Sequence, residues 1–184
     1  MNIIQNLSKL FGQDKDSGIF REIPIKLNGR LFVSPMPYGA YDPGNRIFKI
    51  YRQNKIDHVF ILVTDDELKK KSRRNLLKRY EQNGISYSRF ILNDWMAPSM
   101  DVVVNMVEEA QRRLETQRIA VHCHAGVGRT AIAVCCIAMT IEGWSAEQAM
   151  KNICQFMTIN ITTEQKNFIK KFEKLINNSK DLRN

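Results

Sequence analysis

The stretch HCHAGVGRT, His122 to Thr130, places a thiol, two glycines and an arginine within nine residues. Gly126 and Gly128 permit a tight concave turn, so that backbone N–H groups along His124, Ala125, Gly126, Val127 and Gly128 can point inward. Such a nest, closed by a helix N-terminus, holds an anion without any charged side chain. Arg129 adds a planar two-toothed contact for two phosphate oxygens. The same field favours the thiolate of Cys123, and a thiolate at the floor of a phosphate cradle is an in-line nucleophile for phosphorus. The hydroxyl of Thr130 is placed to donate to the sulfur and help it leave in a second step. The residue types and their spacing therefore suggest phosphoryl transfer through a cysteinyl phosphate.

Two other readings use less of the stretch. His122 and His124 flank Cys123 like metal ligands, but strand alternation sends the cysteine to the opposite side, and His58 is the one other histidine in the chain. A merely buried small cysteine is common, yet it leaves Gly126, Gly128 and Arg129 without a purpose. No metal or organic cofactor is implied, because the nest and Arg129 already meet the charge that develops on phosphoryl oxygens.

Expelling an alkoxide or phenoxide needs a proton donor on the far side of the phosphate. The loop LNDWMAPSM supplies Asp94 at the end of a strand, ahead of Trp95, Pro98 and a helix N-cap at Ser99. Its rivals are Asp101, placed where an acid favours the helix macrodipole, and Asp65 or Asp66, which suit a first helical turn. Trp95 reads as a loop anchor packed on the domain.

His122-Cys123, five residues, then Arg129-Thr130 resemble the H-C-x5-R-[S/T] signature of cysteine-dependent protein tyrosine and dual-specificity phosphatases. The resemblance implies a phosphoprotein phosphatase for phosphotyrosine, with phosphoserine and phosphothreonine as further substrates. It implies Cys123 as nucleophile, Arg129 and the His124–Gly128 backbone as phosphate ligands, and His122 as a supporting residue. It also implies a loop aspartate as general acid, and Asp94 lies 29 residues ahead of Cys123. Strictly tyrosine-specific members read W-P-D, whereas this chain has Asp94-Trp95 and a later Pro98, closer to a small atypical dual-specificity enzyme. The family's water-positioning glutamine points to Gln165, which reads equally as an exposed residue of a first helical turn. Family phosphatases for inositol lipids carry lysines in the cradle and HAGVG has none, while a partly charged His124 would favour an acidic substrate. Family RNA phosphatases often lack the loop aspartate. A phosphatase of a non-protein ester and a non-catalytic phosphate-binding adaptor stand as alternatives.

The elements that must position these residues are legible from periodicity. IPIKLNGRLFV, Ile23 to Val33, alternates on both sides of Asn28-Gly29 and predicts an antiparallel hairpin. Thereafter strands alternate with helices. Asp57 to Val63 is a buried strand, and Thr64 with Glu67 has capping-box spacing for one helix to about Gln82. Ile85 to Leu92 is the next strand, a helix follows from Asp101, and RIAVHC is another buried strand. Arg129 to about Glu142 is apolar on most sides and stops at Gly143; Ser145 with Gln148 opens another helix, and Phe168 to Ile176 marks the last. The fold class is α/β, a mostly parallel sheet with an N-terminal antiparallel hairpin and helices on both faces. Residues 1–18 read as a segment or linker and 19–184 as one phosphatase domain.

The 184-residue length suits one domain, and 43% hydrophobic with 26% charged residues excludes a disordered chain. No apolar run approaches a membrane span, and the start lacks signal-peptide features, so the expected location is cytoplasmic or nuclear. Four cysteines without paired spacing fit a reducing compartment; Cys135, Cys136 and Cys154 read as core. A net charge of +9 favours anionic partners, and a phosphorylated protein is the expected one. KKKSRR, Lys69 to Arg74, reads as a solvated helix face with docking as the alternative, and without interleaved aromatics it does not point to nucleic acid.

Overall fold

In the computed structural model, which describes residues 18–181, five strands form one sheet. They are β1 (Arg21–Ile23), β2 (Arg30–Ser34), β3 (His58–Ile61), β4 (Ser86–Arg89) and β5 (Arg118–His122), in the order β1-β2-β5-β3-β4. β1 pairs antiparallel with β2 and the other pairings are parallel, which is the expected α/β class. Every residue of β3 and Ile119 to His122 of β5 are buried, so the central strands are covered on both faces. His122 stands opposite Ser34 on one side and Ile61 on the other. The carboxyl ends of three adjacent strands are therefore level, and ligands of open α/β sheets bind beyond such ends.

Seven α-helices flank the sheet among the described residues: α1 (Ile47–Gln53), α2 (Asp65–Lys71), α3 (Leu76–Gln82), α4 (Met100–Arg113), α5 (Arg129–Glu142), α6 (Ala146–Ile153) and α7 (Thr163–Asp181). Helix α5 is buried from Arg129 through Met139 and packs against α4, α6, α7 and β5. Gly143 ends it in the left-handed conformation at φ 70°, and Ser145 with Gln148 forms a complete capping box for α6. No helix among the described residues is long and apolar enough to cross a membrane.

Outside the site, the structure departs from the sequence expectations at four places. Asn28-Gly29 is not a two-residue hairpin turn: β1 and β2 do pair, but residues 24–29 separate them. Gly29 is needed instead for close approach, since a Cβ would lie 2.5 Å from the carbonyl oxygen of Leu114. The expected helix from Asp65 to Gln82 is two helices, because Ser72 is extended and Asn75 caps a fresh start by accepting from Lys78 N–H at 3.1 Å. Helix α1 was not expected. It starts where the buried Asp42 carboxylate accepts from the N–H groups of Arg46 and Ile47, at 2.8 and 3.2 Å. Cys154 is not core but exposed at the end of α6, whereas Cys135 and Cys136 are buried and all four thiols are free. Of the expected segment, residues 1–18, all but Gly18 lies outside the described residues.

Candidate active site

Cys123 follows the last residue of the middle strand and is 2% exposed. Its sulfur accepts from the N–H of Gly126 at 3.2 Å, the first inward-facing donor of the nest. The loop is held from outside by its carbonyls: His122 O accepts from Leu62 N, His124 O from Met36 N and Val127 O from Asn160 N, at 3.0, 3.1 and 2.9 Å. A trans peptide points its carbonyl and the next N–H in opposite directions, so the N–H groups of Ala125 and Gly128 turn away from those neighbours, into the loop. Gly126 has φ +77° and a Cβ there would lie 2.7 Å from the Ser34 carbonyl, so both conformation and space demand glycine. Gly128 is not left-handed; its constraint is the Asn160 carbonyl, 3.2 Å from where a Cβ would stand.

Arg129 opens α5 with its side chain 2% exposed. Its Nη1 and Nη2 donate to Oε2 and Oε1 of Glu67, both at 2.7 Å. Sequence reasoning missed Glu67 by assigning it to a capping box. Thr64 does accept from the Glu67 N–H at 3.1 Å, but the carboxylate turns to Arg129 instead of completing the box. The Arg129 pair holds the Glu67 carboxyl at about 2, far below its usual range, with Lys71 adding to the effect. Lys71 Nζ donates to the same Oε1 at 3.0 Å. Asp94 is half exposed and forms an ion pair to Arg129 Nε at 3.4 Å, which is too poorly aimed to give Nε a hydrogen bond.

A cleft of about 360 Å³ collects the expected residues: Asp94, Cys123, His124, Ala125, Val127, Gly128, Arg129 and Gln165, together with Tyr41, Trp95 and Asn160. Asp101, Asp65 and Asp66 are not among its lining residues, and Asp65 pairs with Arg89. Trp95 is no buried anchor: it is 60% exposed, with φ +64°. Thr130 is buried on α5, but its hydroxyl makes no hydrogen bond to Cys123 Sγ or any other group, contrary to the expected contact. Ser99 precedes α4 in extended conformation without a side-chain cap.

His122 supports the site from beneath. Its Nδ1–H donates to the carbonyl of Cys123 at 3.1 Å, so Nε2 accepts from Tyr80 OH, also at 3.1 Å. Burial pushes it down to about 4, so it is neutral at pH 7. His124 is likewise lowered, first by burial and next by Lys71, which weakens the partial charge expected of it. Its ring meets Tyr41 edge-on at 5.0 Å. Gln165 is not an exposed helix residue. It is 2% exposed, its amide oxygen accepts from Thr162 N–H at 3.0 Å, and its Nε2 donates to the Met96 carbonyl at 3.0 Å. One amide thus starts α7 and pins the loop that carries Asp94.

A cysteine on the floor of a backbone nest, beyond the middle strand of this sheet, defines the protein tyrosine and dual-specificity phosphatase class. The chain matches the family described as Cyclin-dependent kinase inhibitor 3 (CDKN3) over residues 48–150, more than half its length, and belongs to that family. The match spans Glu67, Asp94 and the cradle but not Gln165. The mouse protein Cyclin-dependent kinase inhibitor 3 is 30% identical over 99 residues, 53% of this chain and 47% of that protein. Zebrafish Protein tyrosine phosphatase domain-containing protein 1 is 32% identical over 71 residues, 39% of this chain and 10% of that protein. The matched stretch thus spans half or less of these relatives. Among solved structures, kinase associated phosphatase (KAP) with its catalytic-site cysteine changed to serine has TM-score 0.77 at 20% identity, covering 89% of this chain and 98% of that one. PTPMT1 in complex with PI(5)P has TM-score 0.68 at 20% identity, covering 81% and 93%. At such identities these structures show the shared fold.

Proposed function

We propose that the chain hydrolyses phosphate monoesters on proteins, phosphotyrosine first and phosphoserine or phosphothreonine also, through a cysteinyl-phosphate intermediate. The observation that carries this reading is the Cys123 sulfur within the nest at 3.2 Å from the Gly126 N–H, with Arg129 and Asp94 lining the same cleft. The Cys123 thiolate attacks phosphorus as the P–O bond to the leaving group breaks, and protonated Asp94 delivers its proton to that oxygen. Asp94, now a carboxylate, takes a proton from water. The water oxygen bonds to phosphorus, and the thiolate leaves. Backbone N–H groups and Arg129 hold the charge on the three remaining oxygens throughout.

Because Glu67 occupies the end of the guanidinium, the phosphate takes the Nε–H and the neighbouring hydrogen of Nη2, the edge where Nε makes no hydrogen bond and meets only Asp94 at 3.4 Å. Glu67 thereby acts as a positioning residue. Gln165 acts on the Asp94 loop through Met96, with its amide engaged at both ends.

A second reading, a phosphoinositide phosphatase, is favoured by the likeness to PTPMT1 in complex with PI(5)P. Against it, the cradle side chains His124, Ala125 and Val127 include no lysine to meet further ring phosphates. Four free thiols accord with a reducing compartment, and a cytoplasmic or nuclear site of action is part of the proposal. The test is hydrolysis of p-nitrophenyl phosphate in EDTA by wild type, Cys123→Ser and Asp94→Ala. Turnover abolished by the first change and strongly reduced by the second supports the reading; activity retained in Cys123→Ser overturns it.

A further inference from the structure

Lys69 to Arg74 is the densest basic run in the chain, and the proposed chemistry leaves it unused. Had α2 continued to Gln82, these cations would spiral along an exposed helix. Instead the helix stops at Lys71, Arg73 N–H donates to the Tyr38 carbonyl at 3.0 Å, and the Ser72 hydroxyl is shared between the carbonyls of Arg74 at 2.9 Å and Pro37 at 3.3 Å. These bonds clamp the end of α2 to the loop that brings Tyr41 into the cleft. Lys71 itself shares Glu67 Oε1 with Arg129 Nη2, so its ammonium stands only two hydrogen bonds from the guanidinium of the cradle. Its charge is felt inside the cleft, where it helps depress His124.

We propose that Lys71 makes the cleft selective for acidic sequence, binding a carboxylate that lies one or two residues from the phosphorylated residue of a protein substrate. The inference rests on the phosphoprotein reading above. Glu67 lies between two cations and spends its bidentate contact on Arg129, whose Nε also meets Asp94, so Lys71 holds only a single contact to a shared oxygen, Oε1. The ammonium has three donors and spends one on Glu67, and the side chain is 38% exposed, so the others face solvent. An extended peptide advances roughly 3.3 Å per residue, which places a neighbouring acidic side chain within reach of a cation this close to the phosphate site. A membrane would be read across a broad face, not by one lysine tied to the cradle.

The test compares two phosphotyrosine peptides of equal length, one with glutamates beside the phosphotyrosine and one with glutamines there, at low salt. Wild type is expected to favour the acidic peptide in kcat/KM by about three- to tenfold, mainly through KM, the size a partly exposed charged contact supplies. In Lys71→Gln that ratio falls to about one. Lys69→Gln, which removes the same charge from the opposite side of the helix, keeps the wild-type ratio. A wild-type ratio of one, or a ratio that survives Lys71→Gln, overturns the proposal. Equal slowing of both peptides in Lys71→Gln with the ratio intact also overturns it, because Lys71 would then act only by holding Glu67. Hydrolysis of neither peptide, with a phosphoinositide in vesicles hydrolysed instead, refutes the phosphoprotein reading and this inference with it.

Discussion

Two polar clusters lie at opposite ends of the strands, one around the buried His58 and one around the buried Arg129, and only the first is complete. At the amino ends of β3 and β4, His58 faces Ser86 and Ser88 at 2.6 and 3.0 Å, Ser88 donates to Glu109 at 2.6 Å, and Arg113 Nε donates to the same oxygen at 2.6 Å. None of these side chains holds a buried atom without a partner. At the carboxyl ends, Arg129 is fixed by Glu67 just as firmly, yet Arg129 Nε and the Thr130 hydroxyl are buried without a hydrogen bond, and Nε meets only the poorly aimed Asp94 carboxylate at 3.4 Å. Buried polar atoms are nearly always satisfied, and a phosphate bound at the mouth of the cleft would satisfy these two. On the proposed function, the far cluster serves stability and the near one binding.

The strongest way to break this contrast is Arg129→Lys. A lysine cannot span both Glu67 and a phosphate, so kcat/KM on p-nitrophenyl phosphate should fall about 10³-fold. Next comes the matched pair Glu67→Ala and Glu109→Ala. The first should lower kcat/KM by about 10- to 100-fold by releasing Arg129. The second should leave activity within about twofold while lowering urea stability by roughly 1–3 kcal/mol. A reversal of those two outcomes would erase the distinction between the clusters.

Protonation acts on both ends. His58 and His122 are each pushed from 6.5 down to about 4 by burial, so the unfolded chain takes up protons first. Their contribution to stability is present above pH 6.5 and is lost as pH falls to about 4, visible as a declining Tm over that window. Glu67 differs in range: its contribution is present above 4.5 and is lost as pH falls toward about 2. The smallest effect is expected of Gln165→Ala, which frees the Met96 carbonyl and should cost about three- to tenfold in kcat/KM by loosening the Asp94 loop.

Much of this was legible in the sequence, for reasons that also explain what was not. The cradle is contiguous, and Cys123, Gly126 and Arg129 declare their roles through spacing along one turn. The buried strands, the Gly143 stop and the Ser145 cap are likewise local signals. Glu67 carried a local signal as well, but the wrong one: its capping-box spacing masked a partner 62 residues away. Asp42 and α1 were hidden because one buried carboxylate organises backbone that has no periodicity of its own. Trp95 and Cys154 were misplaced by residue type, since tryptophan and cysteine are usually buried and here are exposed. Asn28-Gly29 shows that a turn dipeptide can be selected by a neighbouring helix end instead of by the turn.

The central claim is that the unanswered groups around Cys123 receive a phosphoryl group and the sulfur bonds to it. The measurement that tests this most directly is intact and peptide mass analysis of Asp94→Ala, acid-quenched early in a reaction with p-nitrophenyl phosphate, where slowed hydrolysis lets the intermediate accumulate. The expected result is one phosphoryl group on the peptide containing Cys123, absent in the Asp94→Ala, Cys123→Ser double variant. Turnover without any such adduct, together with activity that survives Cys123→Ser, would contradict it.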